Sequence, residues 1–206
     1  MLDLQRDLLT YGFATRSLAQ GDESGDLCGV LPFPGGALVA VIDGLGHGSD
    51  AAASARTAMT ILAAHPGGPL PILVQRCHEA LLRMRGVVMS LAAIRHDDAT
   101  MTWISVGNIE GLVLRAEGEG QAAREHVVMR GGVVGHRLPS LRTSTVELRP
   151  GDTLLFATDG IRSGFERSVD RAMDPQAVAE RVLQRYGKST DDALIFVGRW
   201  NGGSHA

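Results

Sequence analysis

Aspartates mark four places where this chain must change direction. Asp43 closes the apolar run Ala37-Leu38-Val39-Ala40-Val41-Ile42 and is followed by Gly44. Asp159 closes Thr153-Leu154-Leu155-Phe156-Ala157-Thr158 in the same way and is followed by Gly160. Asp191 and Asp192 stand immediately before the apolar run that begins at Ala193, and Asp26 lies in Glu23-Ser24-Gly25-Asp26, just ahead of Leu27. An isolated Asp-Gly is an ordinary turn dipeptide. Here the pattern occurs twice beside a paired Asp-Asp, and Asp43-Gly44 leads into a helical stretch, not a returning strand. Carboxylates gathered in one place repel one another and rise in pKa unless a cation joins them. Mg²⁺ and Mn²⁺ prefer such oxygen ligands, and a glycine beside a carboxylate lets a backbone carbonyl approach the ion. The residues themselves therefore point to a hard-cation site at strand ends.

Other chemistries fail on spacing. Gly44-Leu45-Gly46-His47-Gly48-Ser49 follows a strand and opens a helix, but Ser49 occupies the third glycine position of a dinucleotide loop. No Asp or Glu follows between Asp50 and Glu79 to hold a ribose. Gly187-Lys188-Ser189-Thr190 has the ending of a phosphate loop, but Val182 stands where its first glycine belongs. There is no G-x-S-x-G elbow, and Leu82 replaces the second histidine after His78-Glu79. Cys28 and Cys77 are too few for a disulfide scaffold and fit a reducing cytoplasm.

The elements that must carry these aspartates are well marked. A buried strand is expected over 38–42 behind the Gly35-Gly36 turn, strand-like segments over 27–31, 87–94, 100–106, 111–114, 126–129, 143–148 and 153–158, and a last strand over 193–200. The alanine-rich stretch 49–64 reads as a helix stopped by His65-Pro66-Gly67-Gly68-Pro69, and 71–84 as a second helix. A third helix is capped by Asp174, starts at Pro175, turns Val178, Val182, Leu183 and Tyr186 to one face, and ends at Gly187. Strands and helices fall in segregated runs, so the fold class is α+β with antiparallel sheets.

Val41-Ile42-Asp43-Gly44-Leu45-Gly46-His47-Gly48, Phe156-Ala157-Thr158-Asp159-Gly160 and Asp191-Asp192 ahead of a last strand resemble the metal-dependent PP2C-type serine/threonine phosphatases. The SpoIIE-like branch matches best. Arg85-Gly86, Ser105-Val106-Gly107-Asn108 and Gly131-Gly132-Val133-Val134-Gly135 add a resemblance to its small RsbX-type phosphatases of the stressosome. The resemblance implies a PP2C-like β-sandwich of two antiparallel sheets flanked by helices on both sides, spanning 1–206 as a single phosphatase domain. It implies two or more Mn²⁺ or Mg²⁺ ions. Asp43 would bridge two metals, the Gly44 carbonyl would hold one of them, Asp159 and Asp191, in preference to Asp192, would ligate the first, and Asp26 would be an indirect ligand. It further implies hydrolysis by a metal-activated water without a phosphoenzyme, on phosphoserine or phosphothreonine of STAS-domain proteins, either stressosome scaffolds or anti-anti-sigma factors. His47 is a candidate proton donor, displaced by two positions from the family's eukaryotic pattern. Leu194 stands where the family usually has threonine.

Composition bounds the alternatives. The chain is 44% hydrophobic and 21% charged, as a globular domain is, and its 26 glycines are a marked excess. A formal net charge of -3 and 4% aromatic residues argue against a nucleic-acid partner. No apolar run is long enough for a membrane span, and Met1-Leu2-Asp3-Leu4-Gln5-Arg6-Asp7 resembles no signal peptide, so a cytoplasmic protein is expected. Two further readings are a pseudophosphatase that serves as a binding module and a nucleotide-binding protein using Gly44 to Gly48.

Overall fold

The computed structural model describes residues 8–18, 23–116 and 124–202. Two five-stranded antiparallel sheets pack face to face. One has the order β2 (Asp26–Phe33), β3 (Gly36–Gly44), β4 (Val87–Arg95), β5 (Thr100–Val106), β8 (Ser144–Glu147). The other has the order β1 (Leu9–Arg16), β10 (Ala193–Trp200), β9 (Thr153–Ala157), β6 (Glu110–Leu114), β7 (Arg124–His126). Helices α1 (Ser49–Ala64) and α2 (Leu70–Leu81) cover the first sheet, and α3 (Pro175–Tyr186) covers the second.

The continuous apolar character of the central strands follows from this layering. Side chains alternate along a strand, so a strand with both faces covered needs apolar residues throughout. In β3, Val39 and Val41 face the inter-sheet core with Met101, Trp103, Phe156, Phe196 and Trp200. Leu38, Ala40 and Ile42 face the helices and meet Leu62, Leu73 and Leu81. On the other side, Leu155, Ile195 and Val197 pack under Val178 and Val182 of α3. The alanines of α1 let it lie close to the sheet: Ala51, Ala52, Ala55 and Ala58 are buried.

Most expected elements stand where the sequence puts them, including β5, β10 and α1 to the residue. Asp174 caps α3 by accepting a hydrogen bond from the Gln176 N–H at 2.9 Å. Gly187 follows α3 in an extended conformation, φ -62° and ψ 130°, so the helix ends without a left-handed glycine. Two expectations need correction. The strand expected over 126–129 lies earlier, at Arg124–His126, and Val128 and Met129 are exposed. Strand β1, absent from the sequence reading, pairs with β10 along its whole length, from Leu9 opposite Trp200 to Arg16 opposite Ala193. Among the described residues no helix is long and apolar enough to cross a membrane.

Candidate metal centre

Antiparallel pairing carries the aspartates to one end of the sandwich. Asp43 is near the end of β3, and the β2–β3 register sets Asp26, the first residue of β2, directly opposite it. On the other sheet β9 runs toward Asp159, and β10, whose Ile195 faces Ala157, starts from Asp191-Asp192 at that same edge. One cross-sheet bond ties the two halves: buried Thr158 donates its hydroxyl to Asp26 Oδ2 at 2.7 Å. Asp43, Asp159 and Asp191 line a cleft of about 450 Å³, with Leu45, Gly46, Gly107, Asn108 and the 131–133 segment as its other walls. Asp26 sits behind this cleft, 6% exposed.

Two glycines make the approach of these segments possible. A Cβ on Gly160 would stand 1.8 Å from the Asp192 carbonyl oxygen, so only glycine lets the Asp159 turn lie on the segment that carries Asp191. A Cβ on Gly44 would stand 2.2 Å from the Ala51 carbonyl oxygen, which would push the first turn of α1 off the end of β3. Close packing around the acids is thus a role of these glycines that the sequence reading did not include.

The electrostatics follow from the crowding. The Asp43 carboxyl is pushed up to about 8, chiefly by burial and then by Asp26, Asp159, Asp191 and Asp192. Asp26 is pushed up to about 7 by burial, with the Thr158 hydrogen bond acting downward and its acidic neighbours upward. Asp191 is also raised, by burial first and by Asp159. Each of these groups resists carrying its charge, the condition that a bound cation reverses. Among the described residues no three His, Cys, Asp or Glu side chains close on one point as a ready-made cage. Such a cage is not required for Mg²⁺, which keeps several waters and takes only one or two carboxylates directly. The all-oxygen donor set fits a hard divalent cation.

The Asp pair divides cleanly. Asp191 opens into the cleft. Asp192 is 5% exposed and accepts two backbone hydrogen bonds, from the Leu18 N–H at 2.7 Å and the Gly25 N–H at 2.6 Å. Asp192 thereby fastens the segments beside β1 and β2 to the start of β10, with both carboxylate oxygens engaged.

The family model for stage II sporulation protein E, SpoIIE, matches residues 34–201. The chain belongs to the SpoIIE family of PP2C-type serine/threonine phosphatases. It is 24% identical over 160 residues to phosphoserine phosphatase RsbX of Bacillus subtilis, covering 78% of each chain. A structure of RsbX in complex with magnesium superposes with a TM-score of 0.81 at 20% identity, covering 94% of this chain and 96% of that one. A protein solved in work on the bacterial stressosome superposes with a TM-score of 0.84 at 26% identity, covering 93% and 99%.

Within this SpoIIE-family site, three side chains carry weight that the sequence did not assign. Thr158 accepts the Leu194 N–H at 2.9 Å while donating to Asp26, so the backbone at Leu194 takes part in the site although its side chain is apolar. Asn108 donates to Asp159 Oδ2 at 2.9 Å. Lys188, from the Gly187-Lys188-Ser189-Thr190 stretch, donates its Nζ to the Asp159 carbonyl at 2.5 Å, and its backbone N–H donates to the Gly160 carbonyl at 2.7 Å. His47 is exposed on the loop before α1 and does not line the cleft.

Proposed function

We propose that this chain is a metal-dependent phosphatase that hydrolyses phosphoserine or phosphothreonine on STAS-domain proteins, as stressosome scaffolds or anti-anti-sigma factors. The observation that carries it is the convergence of Asp43, Asp159 and Asp191 on one cleft, with Asp26 buried behind them. Asp43, Asp159 and Asp191 would hold Mn²⁺ or Mg²⁺, with the Gly44 carbonyl on the same strand end and Asp26 steering from behind. Two such ions, when bound, supply Lewis acidity toward a phosphoryl group and lower the pKa of water. Asn108 holds the Asp159 carboxylate and Lys188 the Asp159 backbone carbonyl, so this residue is restrained at both side chain and main chain. Such restraint is what orientation demands, because ligand displacements of an ångström cost catalysis heavily. Lys188 also brings a positive charge to the acidic rim: it acts downward on the Asp191 carboxyl. The STAS-domain assignment rests on similarity to RsbX and to the stressosome-related structure.

The test is phosphate release from a phosphorylated STAS-domain protein with Mn²⁺ or Mg²⁺. Release is expected with metal, with chelation abolishing it. Asp43→Asn and Asp159→Asn are expected to lower the rate by about 10²-fold or more, on the scale of a lost electrostatic element at a reaction centre. Wild-type rates in both variants at saturating metal would overturn the site assignment. A wild-type protein that binds the phosphoprotein but releases no phosphate would be a pseudophosphatase.

A further inference from the structure

Away from the acidic cleft, on the α3 side of the molecule, lies an open polar concavity of about 550 Å³. Four arginines line it: Arg167 and Arg171 from the 167–172 loop, Arg181 and Arg185 from α3. Each pair is four residues apart. On α3 that spacing sets Arg181 and Arg185 on one face, one turn from each other. The concavity thus has two basic walls. Asp170 is its one acidic lining residue, and Asp170 Oδ1 is engaged by the Ala172 N–H at 3.0 Å.

Five of the described arginines have a carboxylate within 4.0 Å, and one of the five, Arg167, lines the concavity. Elsewhere Arg56 meets Glu23, Arg85 meets Asp50, Arg115 meets Asp152 and Glu125, and Arg124 meets Glu166. In the concavity only Arg167 has a carboxylate within reach, Glu166 at 4.0 Å. Among the described residues Arg171, Arg181 and Arg185 have no ion-pair partner. Arg171 donates to the carbonyls of Arg115 and Ala116, and Arg181 to Met173 Sδ, while the buried Arg181 Nε has no partner. Four guanidinium charges against the Asp170 and Glu166 carboxylates leave the concavity net positive, which favours an anion.

We propose that this basic concavity docks an acidic segment of the protein substrate, outside its phosphorylated residue. The proposal rests on the phosphatase reading above. Guanidinium groups form forked hydrogen bonds with carboxylates, and four of them on two walls exceed what one small oxyanion can engage. The open shape suits a chain segment laid across it. The site also adjoins the catalytic end through the backbone. Tyr186, which lines it, accepts the Arg162 N–H at 2.9 Å, and two residues on, Lys188 grips the Asp159 turn.

The test uses the whole chain and the double variant Arg167→Gln/Arg185→Gln, neither residue belonging to the acidic cleft. Binding of a fluorescein-labelled peptide of alternating Asp and Glu is read by anisotropy. Hydrolysis is read on p-nitrophenyl phosphate and on two phosphoserine peptides, one with an acidic and one with a neutral flank. The double variant should bind the acidic peptide at least 10-fold more weakly and raise KM at least 10-fold for the acidic-flanked substrate alone. Its activity on p-nitrophenyl phosphate and on the neutral-flanked peptide should stay within twofold of wild type. Equal acidic-peptide affinity in the two proteins would overturn the proposal. So would displacement of wild-type binding by millimolar inorganic phosphate with no preference for the acidic-flanked substrate. Anisotropy needs no catalysis, so a protein inactive on p-nitrophenyl phosphate would refute the phosphatase reading while the docking result still stands or falls separately.

Discussion

Replacing Thr158 with valine removes one hydroxyl and almost no volume, yet that hydroxyl joins the two sheets at the site. Thr158 is buried, donates to Asp26 at 2.7 Å and accepts the Leu194 N–H at 2.9 Å. Two losses follow from Thr158→Val. First, the Asp26 carboxylate loses the hydrogen bond that acts against its burial, so its pKa, already about 7, rises further. A hydrogen bond to a charged group is worth roughly 1.5–3 kcal/mol, and about 1.4 kcal/mol is a factor of ten in affinity. The half-saturating Mn²⁺ concentration at pH 8 should therefore rise roughly 10- to 100-fold, the range seen when partners of metal ligands are removed. Second, the buried Leu194 N–H loses its acceptor, at about 1–3 kcal/mol. For a chain of this size that lowers Tm by roughly 2–12 °C, at about 2–4 °C per kcal/mol. The assay is a Mn²⁺ titration of p-nitrophenyl phosphate hydrolysis, well below the melting temperature of both proteins, with Thr158→Ser as the conservative control. The serine variant should restore the metal dependence. A valine variant that melts earlier yet shows an unchanged half-saturating Mn²⁺ concentration would refute the coupling of Asp26 to the metal centre.

Gly160→Ala places a methyl group 1.8 Å from the Asp192 carbonyl oxygen. The segments must separate, at a cost of about 1–3 kcal/mol or more for such overpacking. Activity should fall about 10²-fold because Asp159 and Asp191 no longer meet, and a variant that keeps wild-type activity would contradict this packing role. The pH dependence of the metal-free protein has a defined sign. Asp26 and Asp43 titrate near 7 and 8 in the folded chain but near 4 when unfolded. Below about pH 4 both states hold these protons, and between about pH 4 and 8 the folded state holds more of them. Their contribution to stability is therefore full at acid pH and is lost as pH rises through about 8. Thermal melts in EDTA should show a lower Tm at pH 8.5 than at pH 6, and Mn²⁺ should raise Tm more at pH 8.5. In Asp43→Asn the pH difference should shrink; an unchanged difference would mean that it arises elsewhere.

The sequence showed most clearly what rests on one strand or one turn. The apolar runs ending in Asp43 and Asp159 are legible because both faces of β3 and β9 are buried, so their central residues are apolar on both sides. Strand β1 escaped because it is an edge strand whose exposed positions, Tyr11 and Phe13 among them, break the alternation. The Val127-Val128-Met129 run misled in the opposite direction: it is apolar, but Val128 and Met129 face solvent, and the neighbouring ladder is made by polar Arg124, Glu125 and His126. At the site, local spacing does not separate Asp191 from Asp192, and only the family resemblance favours Asp191. The backbone amides of Leu18 and Gly25, distant in the chain, engage both carboxylate oxygens of Asp192 and so set the two apart. Thr158 and Lys188 act through contacts between segments that no local spacing encodes. The neighbours of Lys188 imitate the end of a phosphate loop, which hides its contact with the Asp159 turn.

The central claim is that one cleft at the end of the sandwich holds the catalytic cations. Diffraction from crystals soaked in Mn²⁺, with anomalous data collected at the manganese edge, tests it most directly. The account predicts anomalous density bounded by Asp43, Asp159 and Asp191, with Asp192 still bonded to the Leu18 and Gly25 amides. Manganese bound elsewhere, or ligated by Asp192 in place of Asp191, would contradict it.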